Sequence, residues 1–148
     1  MALFTWNDKF SVGIETIDDQ HKHFLNLLNN LNDEIQRKNS DETLQTAINS
    51  IFNYGMFHFR AEEKILSSCG YPEIEHQRQE HSFFVKQVKE MEASYQAGNL
   101  TRLGSVVSFL REWFINHIMI EDKKYAAFIS IFSPSDLSSS ELRLIFTL

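Results

Sequence analysis

A single cysteine, Cys69, stands in the chain, so no intrachain disulfide can staple the fold. The residues from Met1 to Phe10 lack the basic start and apolar run of a secretory leader, so a reduced, cytoplasmic protein is expected. No uninterrupted apolar run reaches the roughly 18 residues that a membrane span requires, so no membrane partner is expected. Basic residues are in the minority: 14 Lys and Arg face 20 Asp and Glu, for a net charge of −6. That balance argues against nucleic acid or an anionic membrane surface as the principal partner, and any steering would favour cations. There are only two prolines, Pro72 and Pro134, and neither interrupts a periodic segment. The strongest helix breaker is therefore missing from four long windows.

Those windows have the helical period. Phe24, Leu25, Leu28, Leu31 and Ile35 mark a first helix from near Asp18 to Arg37. Leu44, Ala47, Ile48, Ile51 and Phe52 mark a second, with Ser40 as its N-cap, running to about Ser67. Gly70 suits a left-handed C-terminal cap and Pro72 the first position of a third helix, which continues through Phe84, Val88, Met91 and Tyr95 to Gly98. Leu103, Val107, Leu110, Phe114 and Ile118 mark a fourth. Connections this short make successive helices antiparallel neighbours, which predicts an all-α, up-and-down antiparallel four-helix bundle. Residues 1–17 read as an extended aromatic N-terminal arm packed along it. The bundle is assigned to residues 1–127, and 128–148 to a C-terminal extension able to form a short fifth helix.

At 148 residues the chain can bury about two thirds of its unfolded surface, so no cofactor is needed merely to fold it. Yet His21, His58, Glu62, His81, His117 and Asp122 fall at positions that point into one bundle core. Any one of these histidines is more often a satisfied, partly buried side chain than a ligand, and His58 with Glu62 could be an ordinary helix-surface contact. Six together are different, because ionisable groups are rarely buried unless paired or coordinated, and imidazole plus carboxylate suits iron or zinc. Residues four apart lie about 40° apart on a helix, so His58 and Glu62 can face one centre. Asp122 follows His117 by five residues, about 140° round an ideal helix, so a π-type turn is predicted between them if both coordinate. His23 and Glu63 read as surface, and Cys69 as no nucleophile.

Trp6, the Ser11-Val12-Gly13-Ile14 segment, Ile17 through His21, His58 through Glu63, Gly70-Tyr71-Pro72, the histidine region of the third helix, and Trp113 through His117 to Asp122 resemble the hemerythrin family in its bacterial single-domain form. The likeness spans roughly residues 4 to 127. It implies two iron ions, one held by His21 and His58 and the other by His81 and His117. Glu62 and Asp122 would bridge them, with an oxygen species between. Dioxygen would bind at the iron with two histidines, in an apolar pocket mapped onto Phe24, Phe59, Trp113, Ile118 and Met119. In any bundle those five would be core residues, and only their place beside the ligands makes them a pocket.

One position departs from the family pattern. The family has two histidines four apart on the third helix, and the first should fall where this chain has Gln77, with His76 beside it. Three arrangements are open: Gln77 supplies its amide oxygen, a π-type turn swings His76 inward, or water fills the place. The leading expectation is a non-haem di-iron protein that reversibly binds dioxygen as carrier, store, scavenger or sensor. A second is a di-iron peroxidase, oxidase or nitric-oxide-processing centre opened by Gln77. A third is an interaction module in which metal state controls a C-terminal tail that docks on a protein partner.

Overall fold

The computed structural model describes residues 5–38, 41–99 and 103–131. All regular structure among them is helical: α1 (Glu15–Gln36), α2 (Asp41–Ser68), α3 (Ile74–Gln96), α4 (Leu103–Asn116) and α5 (Lys123–Ile131), with a π-helical segment, His117–Asp122, joining α4 to α5. α1 packs on α2 and α4, α2 on α3, and α3 on α4, which closes the four-helix bundle that the apolar stripes predict.

Local chemistry sets the corners. Gly70 adopts φ +66°, and the Tyr71 N–H donates to the Leu66 carbonyl at 3.0 Å, a left-handed stop that satisfies an orphan carbonyl of α2. Gly98, at φ +84°, ends α3 the same way, with the Asn99 N–H on the Ser94 carbonyl at 2.9 Å. Pro72 does not open α3 as expected. It sits in a preceding turn, and Glu73 is the residue before the first helical position. α1 starts at Glu15, ahead of Asp18, whose carboxylate is occupied in fastening the N-terminal arm. It accepts from the Ser11 hydroxyl at 2.5 Å and from the Val12 N–H at 2.9 Å. Phe10 is buried there, with Trp6 edge-on to it at 5.9 Å.

Two apolar clusters fill the interior. The larger includes Phe24, Leu28, Ile48, Phe84, Phe114 and Ile118, and the smaller Ile17, Ala61, Ile65, Leu66, Tyr71 and Tyr125. Along α1 the chain passes from Ile17 of the smaller cluster to Phe24 of the larger through the polar Gln20 and His21, and along α2 it returns from Ile51 to Ile65 past His58 and Glu62. α5 continues the chain beyond the π-helical segment, and its Tyr125 is buried in the smaller cluster. The Ser40 cap and the fifth helix and docking tail expected beyond residue 131 lie outside the described residues. No helix among the described residues is long and apolar enough to cross a membrane.

Candidate metal centre

Between the two clusters the structure brings together His21, His58, Glu62, His81, His117 and Asp122, all buried. Asp122 spans the group: one oxygen lies 3.2 Å from His21 Nε2 and the other 3.2 Å from His117 Nε2. His58 Nε2 faces Glu62 Oε1 one helical turn along α2, and one ligand atom from each of His21, His58 and Glu62 lies within 4.8 Å of the others. Across the layer, His81 Nε2 and His117 Nε2 stand 3.2 Å apart. Two imidazoles with nitrogens converging at that distance have the donor geometry for a shared cation. The π-helical segment supplies the register, since its extra residue per turn brings His117 and Asp122 to one side.

Gln77 and His76 part company. α3 is regular across both, so Gln77 turns inward to full burial, and its Nε2 donates to Asp122 Oδ1 at 3.2 Å. His76 does not join the centre. Its side chain is half exposed and lies 3.3 Å from Glu121 Oε1.

Two supporting residues are missed by the sequence reading. The His58 Nδ1–H donates to the Gln20 amide oxygen at 2.5 Å, and the His81 Nδ1–H donates to Glu63 Oε2 at 2.9 Å. Glu63 is therefore not the free surface residue expected. With Nδ1 engaged as donor, each ring presents the Nε2 lone pair to the centre, the orientation that a ligating histidine requires. The signal available was position: each supporting residue is next in sequence to a candidate ligand.

The apolar residues surround this layer. Phe59 stacks on His81 at 4.1 Å and Trp113 on His117 at 4.7 Å, while Phe24 stacks on Phe114 at 4.5 Å, and Phe114 meets His21 edge-on at 5.5 Å. Phe24, Phe59 and Ile118 are buried, and Trp113 and Met119 partly so.

Burial and neighbouring charges shift the titration of the layer. Burial, reinforced by the Asp122 charge, pushes the Glu62 carboxyl up to about 7 from an ordinary 4.5. Burial pulls His58 down to about 4 from 6.5. Burial acts to raise Asp122 too, but His117 and His21 override it and hold that carboxyl well below its usual value. Burial of the Tyr125 phenol, aided by the Glu62 and Asp122 charges, pushes it far above 10.

Metal fits this donor set. Both Glu62 oxygens, His58 Nε2, both His21 nitrogens, Asp122 Oδ2 and Gln77 Oε1 are buried with no hydrogen-bond partner. Each unsatisfied polar atom of this kind costs about 1–3 kcal/mol, and more when charged. Cations that accept the carboxylate, amide and imidazole lone pairs among these atoms, one per histidine ring, remove most of that cost, whereas neighbouring side chains leave it standing. Fold and site thus define a class, a helical bundle with a buried imidazole and carboxylate metal centre.

Comparison with known proteins narrows the class. The family model described as the hemerythrin HHE cation binding domain matches residues 12–129. A bacteriohemerythrin of Stenotrophomonas maltophilia is 32% identical over 126 residues, 85% of this chain and 81% of the relative. One of Pseudomonas aeruginosa is 30% identical over 125 residues, covering 84% and 80%. A crystal structure of wild-type hemerythrin superposes with a TM-score of 0.77 at 26% identity, covering 85% of this chain and 97% of that one. The chain belongs to the hemerythrin family, and its centre is of the non-haem iron-binding kind.

Proposed function

We propose that the protein binds dioxygen reversibly at two iron ions with a bridging oxygen species, as a carrier, store, scavenger or sensor in the cytoplasm. The observation behind this reading is the layer of buried lone pairs shared between two groups of ligands, with Asp122 reaching into both. His21, His58 and Glu62 would hold one ion, and His81 and His117 the other, with Glu62 and Asp122 shared. Two iron ions held by these residues would supply the two electrons that reversible dioxygen binding requires.

The protein's part is orientation and exclusion. Gln20 and Glu63 fix the His58 and His81 rings, so little rearrangement is needed as charge develops. Phe24, Phe59, Ile118 and the partly buried Trp113 and Met119 line much of the ligand layer with apolar surface, which limits water there and disfavours proton entry and irreversible oxidation. Metal content per chain, with visible spectra before and after air is admitted to the reduced protein, tests the proposal. Two irons and charge-transfer bands that fade on removing oxygen support it, and one iron, zinc or an irreversible change overturns it.

A catalytic reading rests on Gln77, which puts an amide where the family pattern has an imidazole. Its Oε1 is a weaker, neutral donor, so the His81 and His117 side would offer an exchangeable position to peroxide or nitric oxide. Comparing Gln77→His with wild type separates the readings. Peroxide turnover that falls on restoring histidine favours catalysis, and equal autoxidation and turnover in both proteins rule it out.

A further inference from the structure

Outside the buried layer, a second group of metal-ligating side chains converges where α3 meets the π-helical segment. His76 Nε2 lies 3.6 Å from Glu80 Oε1 and 3.3 Å from Glu121 Oε1, and one donor atom from each residue lies within 4.8 Å of the other two. One imidazole with two carboxylates is a borderline ligand set that suits Fe2+, Zn2+ or Mn2+. Proximity of charged groups on a surface would mean little without more. Glu121, however, is only 7% exposed, and its Oε2 is buried with no hydrogen-bond partner. A buried carboxylate oxygen left unsatisfied is costly, and Lys124 Nζ, on a half-exposed side chain, pairs with the other oxygen at 3.7 Å.

The position matters as much as the chemistry. Glu80 and Glu121 line a cavity of about 240 Å³ whose wall also includes Glu112, Trp113 and the buried ligand candidate His117. The same hollow therefore touches both carboxylates of the outer cluster and an imidazole of the inner centre. We propose that His76, Glu80 and Glu121 form a second cation site, where a divalent first-row metal docks before it moves through this cavity to the buried centre. The docking itself stands on the outer cluster alone, and the delivery rests on the di-iron reading. Half-exposed His76 can take an ion from water, and the half-exposed Lys124 ammonium can swing clear of Glu121 as the ion arrives. Glu112 adds negative charge along the same wall.

Equilibrium dialysis of the iron-loaded full chain against Zn2+, with iron and zinc counted together, tests the docking site. Wild type is expected to take up one zinc beyond its buried metal without losing iron. His76→Ala and Glu121→Gln should each weaken that uptake by roughly tenfold or more while iron content stays constant. His76 is half exposed, so its replacement leaves the packing intact if Glu121→Gln perturbs the fold. Absence of extra zinc in wild type, or zinc uptake unchanged in both variants, overturns the site. Stopped-flow loading of metal-free protein with Fe2+ tests delivery: a several-fold slower rate in His76→Ala with the same final iron content supports it, and equal rates overturn it. Failure of the di-iron reading would show separately, as a wrong iron count in wild type.

Discussion

Replacing Glu62 with Gln should stabilise the metal-free protein and weaken the metal-loaded one, and the metal-free effect should depend on pH in a calculable way. Glu62 is fully buried beside Asp122, and its carboxyl rises from 4.5 to about 7. A folded-state value above the unfolded one means that the folded protein favours the protonated form. The contribution to stability is complete below pH 4.5 and is lost as pH rises through 7. At about 1.4 kcal/mol per tenfold change in proton affinity, ionised Glu62 costs the folded state about 3 kcal/mol at pH 8 and under about 1 kcal/mol at pH 5. Gln removes that ionisation without changing size. Glu62→Gln should therefore gain about 2–3 kcal/mol more, relative to wild type, at pH 8 than at pH 5, or roughly 5–10 °C in melting temperature. His58 acts in the opposite sense. Its folded value of about 4 lies below the unfolded 6.5, so it contributes stability above pH 6.5 that is lost as pH falls toward 4. His58 Nε2 faces Glu62 Oε1, so the two titrations couple, and the comparison is cleanest well above pH 6.5, where His58 is neutral in both the folded and the unfolded protein. Thermal melts of chelator-treated protein supply the first measurement, and the same melts with Fe2+ supply the second, in which wild type should gain more than the variant. A Glu62→Gln protein destabilised equally at both pH values without metal would refute the reasoning.

Glu63→Gln should loosen metal retention by about 10–100-fold, because His81 loses the charged acceptor 2.9 Å from its Nδ1; unchanged iron loss to a competing chelator would contradict this. Phe24→Ala should cost about 3–5 kcal/mol in chemical denaturation, since the ring is fully buried and stacked on Phe114 at 4.5 Å. A loss below about 1 kcal/mol would mean that the cluster collapses around the gap. Gly70→Ala should cost about 1 kcal/mol through its φ of +66° alone, because an added methyl would meet nothing within 4 Å. A neutral substitution would show that the turn relaxes out of the left-handed region.

The helices were legible because their apolar residues recur at the helical period and the breakers fall between them. The widened turn between His117 and Asp122 was legible from the five-residue spacing, which an ordinary helix cannot bring to one side. Helix starts were less so: Pro72 has the chemistry of a first helical residue but sits in the preceding turn, and α1 starts three residues before Asp18, which still lies in its first turn. The roles of Gln20 and Glu63 could not be read from a single helix, because each acts on a histidine of the next helix along the chain. Whether Gln77 or His76 faces inward was open in the sequence, and the unbroken course of α3 turns Gln77 toward Asp122.

That placement of supports follows from helix geometry. A residue adjacent to a ligand is turned by about 100°, so a side chain beside an inward-facing ligand is directed at a neighbouring helix. Gln20, next to His21 on α1, engages His58 on α2, and Glu63, next to Glu62 on α2, engages His81 on α3. Glu121, next to Asp122, repeats the arrangement from the π-helical segment toward α3, but the histidine it meets is His76, one residue before the inward position. In the first two cases a ring held by its neighbour turns its free nitrogen to the buried layer. In the third the ring lies outside, beside Glu80, and Gln77 occupies the interior. One residue of offset on α3 therefore accounts for two features together: an amide in the inner centre where an imidazole would be expected, and a spare imidazole beside Glu80 and Glu121, two carboxylates that line the cavity reaching His117.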